Sequence, residues 1–279
     1  KMNPLSNADR LAAVAAEIAA GGRKESALPG RAWFIGNDEI LTLPRDDGDC
    51  RYPYGSGGYN FWAYTSGYMH SNEGIFSPFL RSAEGQEPKI AWFAAFDSPE
   101  GGEKRVVPLL AVPEMRDGAL RYTVFNKSFV TYIAETDGLR FSLRVYVTAD
   151  RAVRFTLGVQ NLTEKEIDFC LSSYLNPFLL HDVFENGENR WFREVTVLEG
   201  EPLPDFMVRC NESISRTRQV ANYGVLTRTL TLYGGAALTG HEETSSRAAY
   251  VGGSRSSLHR PRGVLAGTFG EARHVTAFT

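Results

Sequence analysis

A chain of 279 residues with a formal net charge of −3, 43% hydrophobic and 12% aromatic, carries enough apolar material for one large β domain or two ordinary ones. It has no cationic surplus with which to release counterions from a phosphate backbone, so nucleic acid is excluded as the expected partner. No apolar run approaches the ~20 residues that span a bilayer and no basic, apolar, small-residue leader opens the chain, so no membrane partner and a cytoplasmic location are expected.

Residues 5 to 20, "LSNADRLAAVAAEIAA", place Leu11, Val14 and Ile18 at helical spacing, with Ser6 as N-cap and a stop at "GGRK". Residues 1 to 30 therefore read as a short N-terminal helix and linker, the helix docking on the edge of the main domain because an Ala-rich helix of this length is marginal alone. From residue 31 the pattern changes to short apolar runs punctuated by Gly, Pro, Asn and Asp, which is a strand pattern. In order the expected strands are "RAWFIG", "EILTL", "YNFWAYTSGYMH", "FSPFLRS", "IAWFAAFD", "RVVPLLAV", "LRYTVFNKSFVTYIAET", "LRFSLRVYVTA", "VRFTLGVQNL", "IDFCLSSYLNPFL", "NRWFREVTVLE", "PDFMVRCNE" and "YGVLTRTLTLYG".

In "RFSLRVYVT", Phe141, Leu143, Val145 and Val147 alternate with Ser142, Arg144, Tyr146 and Thr148, so one face is buried and the other open. "VRFTLGVQN" repeats the alternation, and the intervening "TADRA" has hairpin length. Asp137-Gly138 is the strongest short turn signal in the chain and makes a second hairpin one strand earlier. So many antiparallel strands cannot stay in one flat sheet, and long strands with short turns favour a large two-layered sandwich over residues 31 to 279. Residues 234 to 263, rich in Gly, Ser and Arg, are expected to be a long surface excursion. Cys50, Cys170 and Cys210 are odd in number and lack metal-binding or disulfide-exchange spacing, so they read as reduced and mostly buried thiols. The sequons at Asn126, Asn161 and Asn211 carry no weight without secretion.

The familiar catalytic signatures are absent: no G-x-S-x-G elbow, P-loop, dinucleotide fingerprint, H-E-x-x-H or EF-hand spacing occurs. The five histidines are scattered, and a lone His in a β protein is ordinarily a satisfied structural residue. His181, Asp182, Glu185, Glu188 and Glu194 read as an acidic loop between strands rather than as a glycosidase carboxylate pair. The segment that stands out is "RYPYGSGGYNFWAYTSGYMHSNEGIFSPF", residues 51 to 79, with nine aromatic rings. Rings of this kind stack on the apolar faces of sugars while rim groups such as Asn60, Ser66, His70, Asn72 and Glu73 hydrogen-bond; equally, they fill the core of a large sandwich. Neither catalytic nor metal-ligating residues are expected, and no cofactor.

The order of these segments resembles the N-terminal domain of the cellobiose phosphorylase family, glycoside hydrolase family 94. Gly57, Gly58, Tyr59, Asn60 and Phe61 are similar to an early Gly-Gly-Tyr-x-Phe segment of that family. Asp150, Arg154, Phe155, Thr156, Leu157 and Asn161 resemble its middle-hairpin pattern, and Tyr250, Val251, Gly252, Ser257, Leu258, Pro261 and Val264 its closing segment. The resemblance spans most of residues 50 to 265 and looks closest to the oligoglucan phosphorylases and cyclic synthases that act on β-1,2-glucan.

That resemblance implies an all-β antiparallel supersandwich like that of galactose mutarotase. It also implies a non-catalytic N-terminal carbohydrate-binding or scaffold module, whose parent enzyme transfers or phosphorolyses β-linked glucosyl units in a C-terminal (α/α)6 catalytic domain. Partners implied are a β-glucan oligosaccharide, that helical domain, and a second copy of the chain. The residues expected to contact sugar or the neighbouring domain are Tyr59, Phe61, Trp62, Tyr64, Tyr68, His70 and Glu73, with Arg247, Arg255 and His259 as secondary candidates. A stand-alone mutarotase-type enzyme and a purely structural interdomain or dimerisation domain are the alternatives.

Overall fold

The computed structural model describes Ala13, Ala16 and residues 32–35, 39–43, 50–73, 76–79, 90–97, 104–110, 119–150, 152–175, 180–181, 191–198, 205–215, 218–226, 232, 236–242, 244, 246–253, 258 and 261–266. Its strands are β1 (Ala32–Ile35), β2 (Glu39–Thr42), β3 (Arg51–Ser56), β4 (Tyr59–Tyr64), β5 (Met69–Glu73), β6 (Phe76–Phe79), β7 (Ile90–Phe96), β8 (Arg105–Pro108), β9 (Leu120–Asn126), β10 (Val130–Thr136), β11 (Leu139–Val147), β12 (Val153–Asn161), β13 (Phe169–Leu175), β14 (Leu180–His181), β15 (Trp191–Leu198), β16 (Asp205–Ser215) and β17 (Arg218–Leu226). Two short helices come after them, α1 (Arg247–Val251) and α2 (Arg262–Ala266).

The architecture is an antiparallel all-β sandwich, open rather than closed into a barrel. A six-stranded sheet runs β1-β2-β9-β10-β11-β12, a five-stranded one β14-β6-β5-β4-β3, and two three-stranded sheets β13-β7-β8 and β15-β16-β17. Alternation makes β11 the spine of the core: Leu139, Phe141, Leu143 and Val145 are buried while the residues between them are open or half-open. Two sheets pack on this face. Tyr54, Tyr59, Phe61, Ala63 and Met69 of the five-stranded sheet meet Phe125, Val130, Tyr132, Leu143 and Val145. Ala94, Phe96 and Val107 of the β13-β7-β8 sheet meet Ala134, Leu139 and Phe141.

Strand β7, "IAWFAAF", is apolar at every position because both its faces are covered. On the side away from the six-stranded sheet, Ala91, Phe93 and Ala95 pack with Tyr174 and with Tyr250, Val251 and Val264 of the helices. The expected surface excursion over 234–263 is therefore corrected in part. Residues 236 to 242 are exposed, but the chain then returns as α1. Ser246 caps α1 by accepting from the Ala249 N–H at 3.2 Å, and Gly252 ends it at φ 84°.

Polar side chains bolt the six-stranded sheet to the turn after β4. Tyr132 donates its hydroxyl to the Tyr64 carbonyl at 2.9 Å, Thr123 donates to the Thr65 carbonyl at 2.8 Å, and the Thr42 and Thr65 hydroxyls are 3.0 Å apart. At the other end, the Tyr54 hydroxyl shares its proton between the carbonyls of Phe129 at 2.8 Å and Asn126 at 3.0 Å. These groups are buried, and burial without such partners would cost each of them about 1–3 kcal/mol.

Several boundaries differ from the sequence expectation. "YNFWAYTSGYMH" is two strands, not one, because Gly67 takes φ 91° in a turn closed by the Gly67 N–H donating to the Tyr64 carbonyl. "LRYTVFNKSFVTYIAET" likewise divides into β9 and β10, where the Asn126 side chain accepts from the Ser128 N–H at 3.1 Å and shapes the turn. Strand β3 was hidden by Pro53 and Gly55, yet it is the edge strand of its sheet, where a proline is tolerated. The last strand begins earlier than expected, at Arg218. Of the three thiols expected to be mostly buried, Cys50 is half-buried and Cys170 exposed, both free, and the Cys210 side chain lies outside the described ones. Of the N-terminal helix only Ala13 and Ala16 are described, both helical and exposed.

The Gly67 turn gives a direct test. A Cβ added there would lie 2.7 Å from the Leu110 Cβ, whereas at Gly58, also at positive φ, it would meet nothing within 4 Å. Gly67→Ala is expected to cost about 1–3 kcal/mol from the backbone conformation plus the displacement of Leu110. Gly58→Ala carries the backbone cost alone. Denaturant unfolding of both variants should rank them in that order, and equal losses would refute the close approach.

Candidate functional site

The aromatic segment divides by the two-residue period of β4 and its neighbours. Tyr54 pairs with Phe61, and Phe61 with Ser71, and these residues point into the sandwich. Phe61 is fully buried and Tyr59 and Tyr64 nearly so, so three of the expected contact rings are packing residues whose faces are already covered.

The opposite face carries a different row. Pro53 lies across from Trp62, and Trp62 across from His70, so three adjacent strands present a proline, an indole and an imidazole side by side. The Trp62 and His70 rings have centroids 5.5 Å apart and are tilted by 31°. Pro53 is exposed, Trp62 and His70 half-buried. Two residues further along β3 and β4, Gly55 stands opposite Asn60, both exposed, and Asn60 opposite Asn72. The missing side chain at Gly55 leaves the platform low beside the Asn60 amide. A flat apolar row with an amide at its border can stack on a sugar ring and bind its hydroxyls.

The remaining candidates are not gathered there. Tyr68 is half-buried in the turn after β4, where its N–H lies 3.5 Å from the Ser66 hydroxyl. Glu73 ends β5 opposite Tyr59. Arg247 opens α1, on the helical cover of the β13-β7-β8 sheet, so it belongs to a different part of the fold from the Trp62 row. Arg255 and His259 lie outside the described residues, as does most of the 182–194 acidic segment. Among the described residues no three His, Cys, Asp or Glu side chains converge in a way that would hold a metal ion. Nor is any helix among them long and apolar enough to cross a membrane.

Sequence reasoning missed Pro53. The signal was available in the parity of "YNFWAY", which separates Tyr59, Phe61 and Ala63 from Asn60 and Trp62, but assigning the faces needs the strand pairing of β3, which the proline concealed.

No family model matches the chain, and no curated protein matches it.

Proposed function

We propose that this chain is a non-catalytic carbohydrate-contact and scaffold module, of the kind that accompanies a catalytic domain acting on β-linked glucans. The observation that carries the reading is the Pro53, Trp62 and His70 row, in which one indole face is part-open on a rigid sheet beside the exposed Asn60 amide. A sheet-borne row is pre-organised, so little rotamer freedom is lost when a flat ligand settles on it. The resemblance of Gly57 to Phe61, Asp150 to Asn161 and Tyr250 to Val264 to phosphorylase N-terminal domains supports the substrate class. In that setting the parent's chemistry is phosphorolysis or transfer of glucosyl units, supplied by the helical catalytic domain.

Isothermal titration with β-1,2-linked and β-1,4-linked gluco-oligosaccharides tests the reading. Binding of one series, weakened about tenfold by Trp62→Ala, is expected, a change of roughly 1.4 kcal/mol. Absence of binding to either series would defeat the carbohydrate role and leave the scaffold role. Anomer interconversion by the purified chain would favour the mutarotase-type alternative instead.

A further inference from the structure

The outer face of the six-stranded sheet is apolar at one end and charged at the other. Towards β1, the buried Tyr122, Val124 and Ile133 pack with Trp33, Ile35 and Leu41. Towards β12 the face is open, and Arg140, Ser142, Arg144 and Tyr146 of β11 alternate outward from the buried residues between them. Register sets their neighbours on β12: Tyr146 lies opposite Arg154, Arg144 opposite Thr156 and Ser142 opposite Gly158. On the other side, Arg144 lies opposite Thr131 of β10. Arg144, Arg154, Thr156 and Gly158 are exposed, Thr131 and Tyr146 half-buried.

The cations of this face are of two kinds. Arg140 is engaged within the sheet, bonded to Glu135 at 2.8 Å and reaching Gln160 at 3.5 Å. Arg144 instead holds its guanidinium 4.3 Å from the centre of the half-buried Phe129 ring, the residue that precedes β10. That contact steadies the guanidinium without using its N–H donors. Neither Arg144 nor Arg154 has an ion-pair or hydrogen-bond partner among the described residues, and the Tyr146 hydroxyl has none either. The Asp150 carboxyl, in the turn after β11, is held below its ordinary range mainly by the Thr148 hydroxyl, with Arg154 a lesser cause.

Two cations thus flank one ring. The charge of Arg144 sits over Phe129 on the β10 side, while Arg154 rises from β12, two strand spacings or roughly 10 Å away, with Tyr146 between them. A single carboxylate or phosphate reaches one of them, and an exposed ion pair of that kind contributes little alone. A chain of anionic groups reaches both. Between the charges lies a flat ring, with the hydroxyls of Thr131 and Thr156 in the adjacent row, which suits a pyranose face better than a peptide side chain.

We infer that this face is a second binding site, taking an acidic oligosaccharide whose hexuronate carboxylates pair with Arg144 and Arg154 while one sugar ring settles on Tyr146. The planar guanidinium fork matches a carboxylate in two parallel hydrogen bonds. The site belongs to a different sheet from the Pro53, Trp62 and His70 row and needs nothing from the reading of that row.

Calorimetric titration with trigalacturonate at low ionic strength is the test. Binding is expected, weakened about fivefold by Arg144→Gln and by Arg154→Gln, and weakened further at about 0.15 M salt, where exposed charges are screened. Both arginines are exposed, so thermal unfolding should hardly move. Trp62→Ala is expected to leave this binding unchanged, which separates it from binding of neutral glucans. Capped triglutamate, with the same charges and no sugar ring, is expected to bind at least about fivefold more weakly, and Tyr146→Ala to remove that preference. No binding of trigalacturonate up to about 10 mM would overturn the inference. So would binding indifferent to both arginine substitutions, or equal affinity for the peptide.

Discussion

Phe61→Ala is expected to destabilise the fold by about 3–5 kcal/mol, a large fraction of the 5–15 kcal/mol that holds a typical domain together. Phe61 is fully buried where β4 meets the six-stranded sheet, among Tyr54, Met69, Leu143 and their neighbours. Removing the ring forfeits its transfer from water and leaves a cavity that sheet backbones on both sides cannot collapse into. Trp62→Ala, one residue further on, deletes a larger ring and should cost far less, about 1 kcal/mol or under, because that ring is half-buried on the outer face. The comparison reads out the register of β4, since a slip of one residue would exchange the two faces. Urea unfolding of both variants is the measurement. Equal losses would mean that the platform assigned to Trp62 is itself core, and would remove the geometric support for a ligand there.

How far this arrangement could be read beforehand depended on whether the information was local. Phe141 to Val147 and Val153 to Val159 announced their faces, because strict alternation next to a short turn leaves one folding solution. Asp137-Gly138 announced its hairpin for a local reason too: both residues must take positive φ, here 49° and 78°. By contrast "YNFWAY" is apolar on both faces, so periodicity alone could not say which rings were core. The pairings of β2 with β9 and of β7 with β13 join segments far apart in sequence. Such neighbours are chosen by which surfaces pack, and no local pattern records that. The helices over β7 were hidden by composition: "SRAAYVGG" looks like linker until Tyr250 and Val251 find Phe93 and Tyr174 to pack against. The low spot beside the Asn60 amide, at Gly55, was legible only as a glycine among others.

Stability should also fall steeply in alkali. Tyr54, Tyr122 and Tyr250 are all buried, and their hydroxyls ionise well above the ordinary value of 10.0 in the folded chain. For Tyr54 the main cause is burial, which penalises the phenolate, with Tyr52 beside it adding to the effect. For Tyr122 burial is joined by the charge of Glu135, whose carboxylate accepts the phenol proton at 2.9 Å and is held in turn by Arg140 at 2.8 Å. For Tyr250 burial dominates, partly offset by the Ser172 hydroxyl 2.8 Å away.

A folded pKa raised above the unfolded one means that the folded state holds its proton longer, so stability is unaffected well below pH 10 and declines above it. Each such tyrosine contributes a slope of about 1.4 kcal/mol per pH unit, and the three together about 4, until the folded phenols themselves ionise. Tyr54→Phe is expected to flatten this slope by about a third. At neutral pH the same change costs roughly 1–3 kcal/mol, because the carbonyls of Asn126 and Phe129 lose their shared donor inside the sandwich. Denaturant unfolding between roughly pH 8 and 11, with and without that substitution, separates the two effects. An unfolding free energy that stays level across that range would show the three hydroxyls ionising as freely as in water, and would contradict the burial of these three rings.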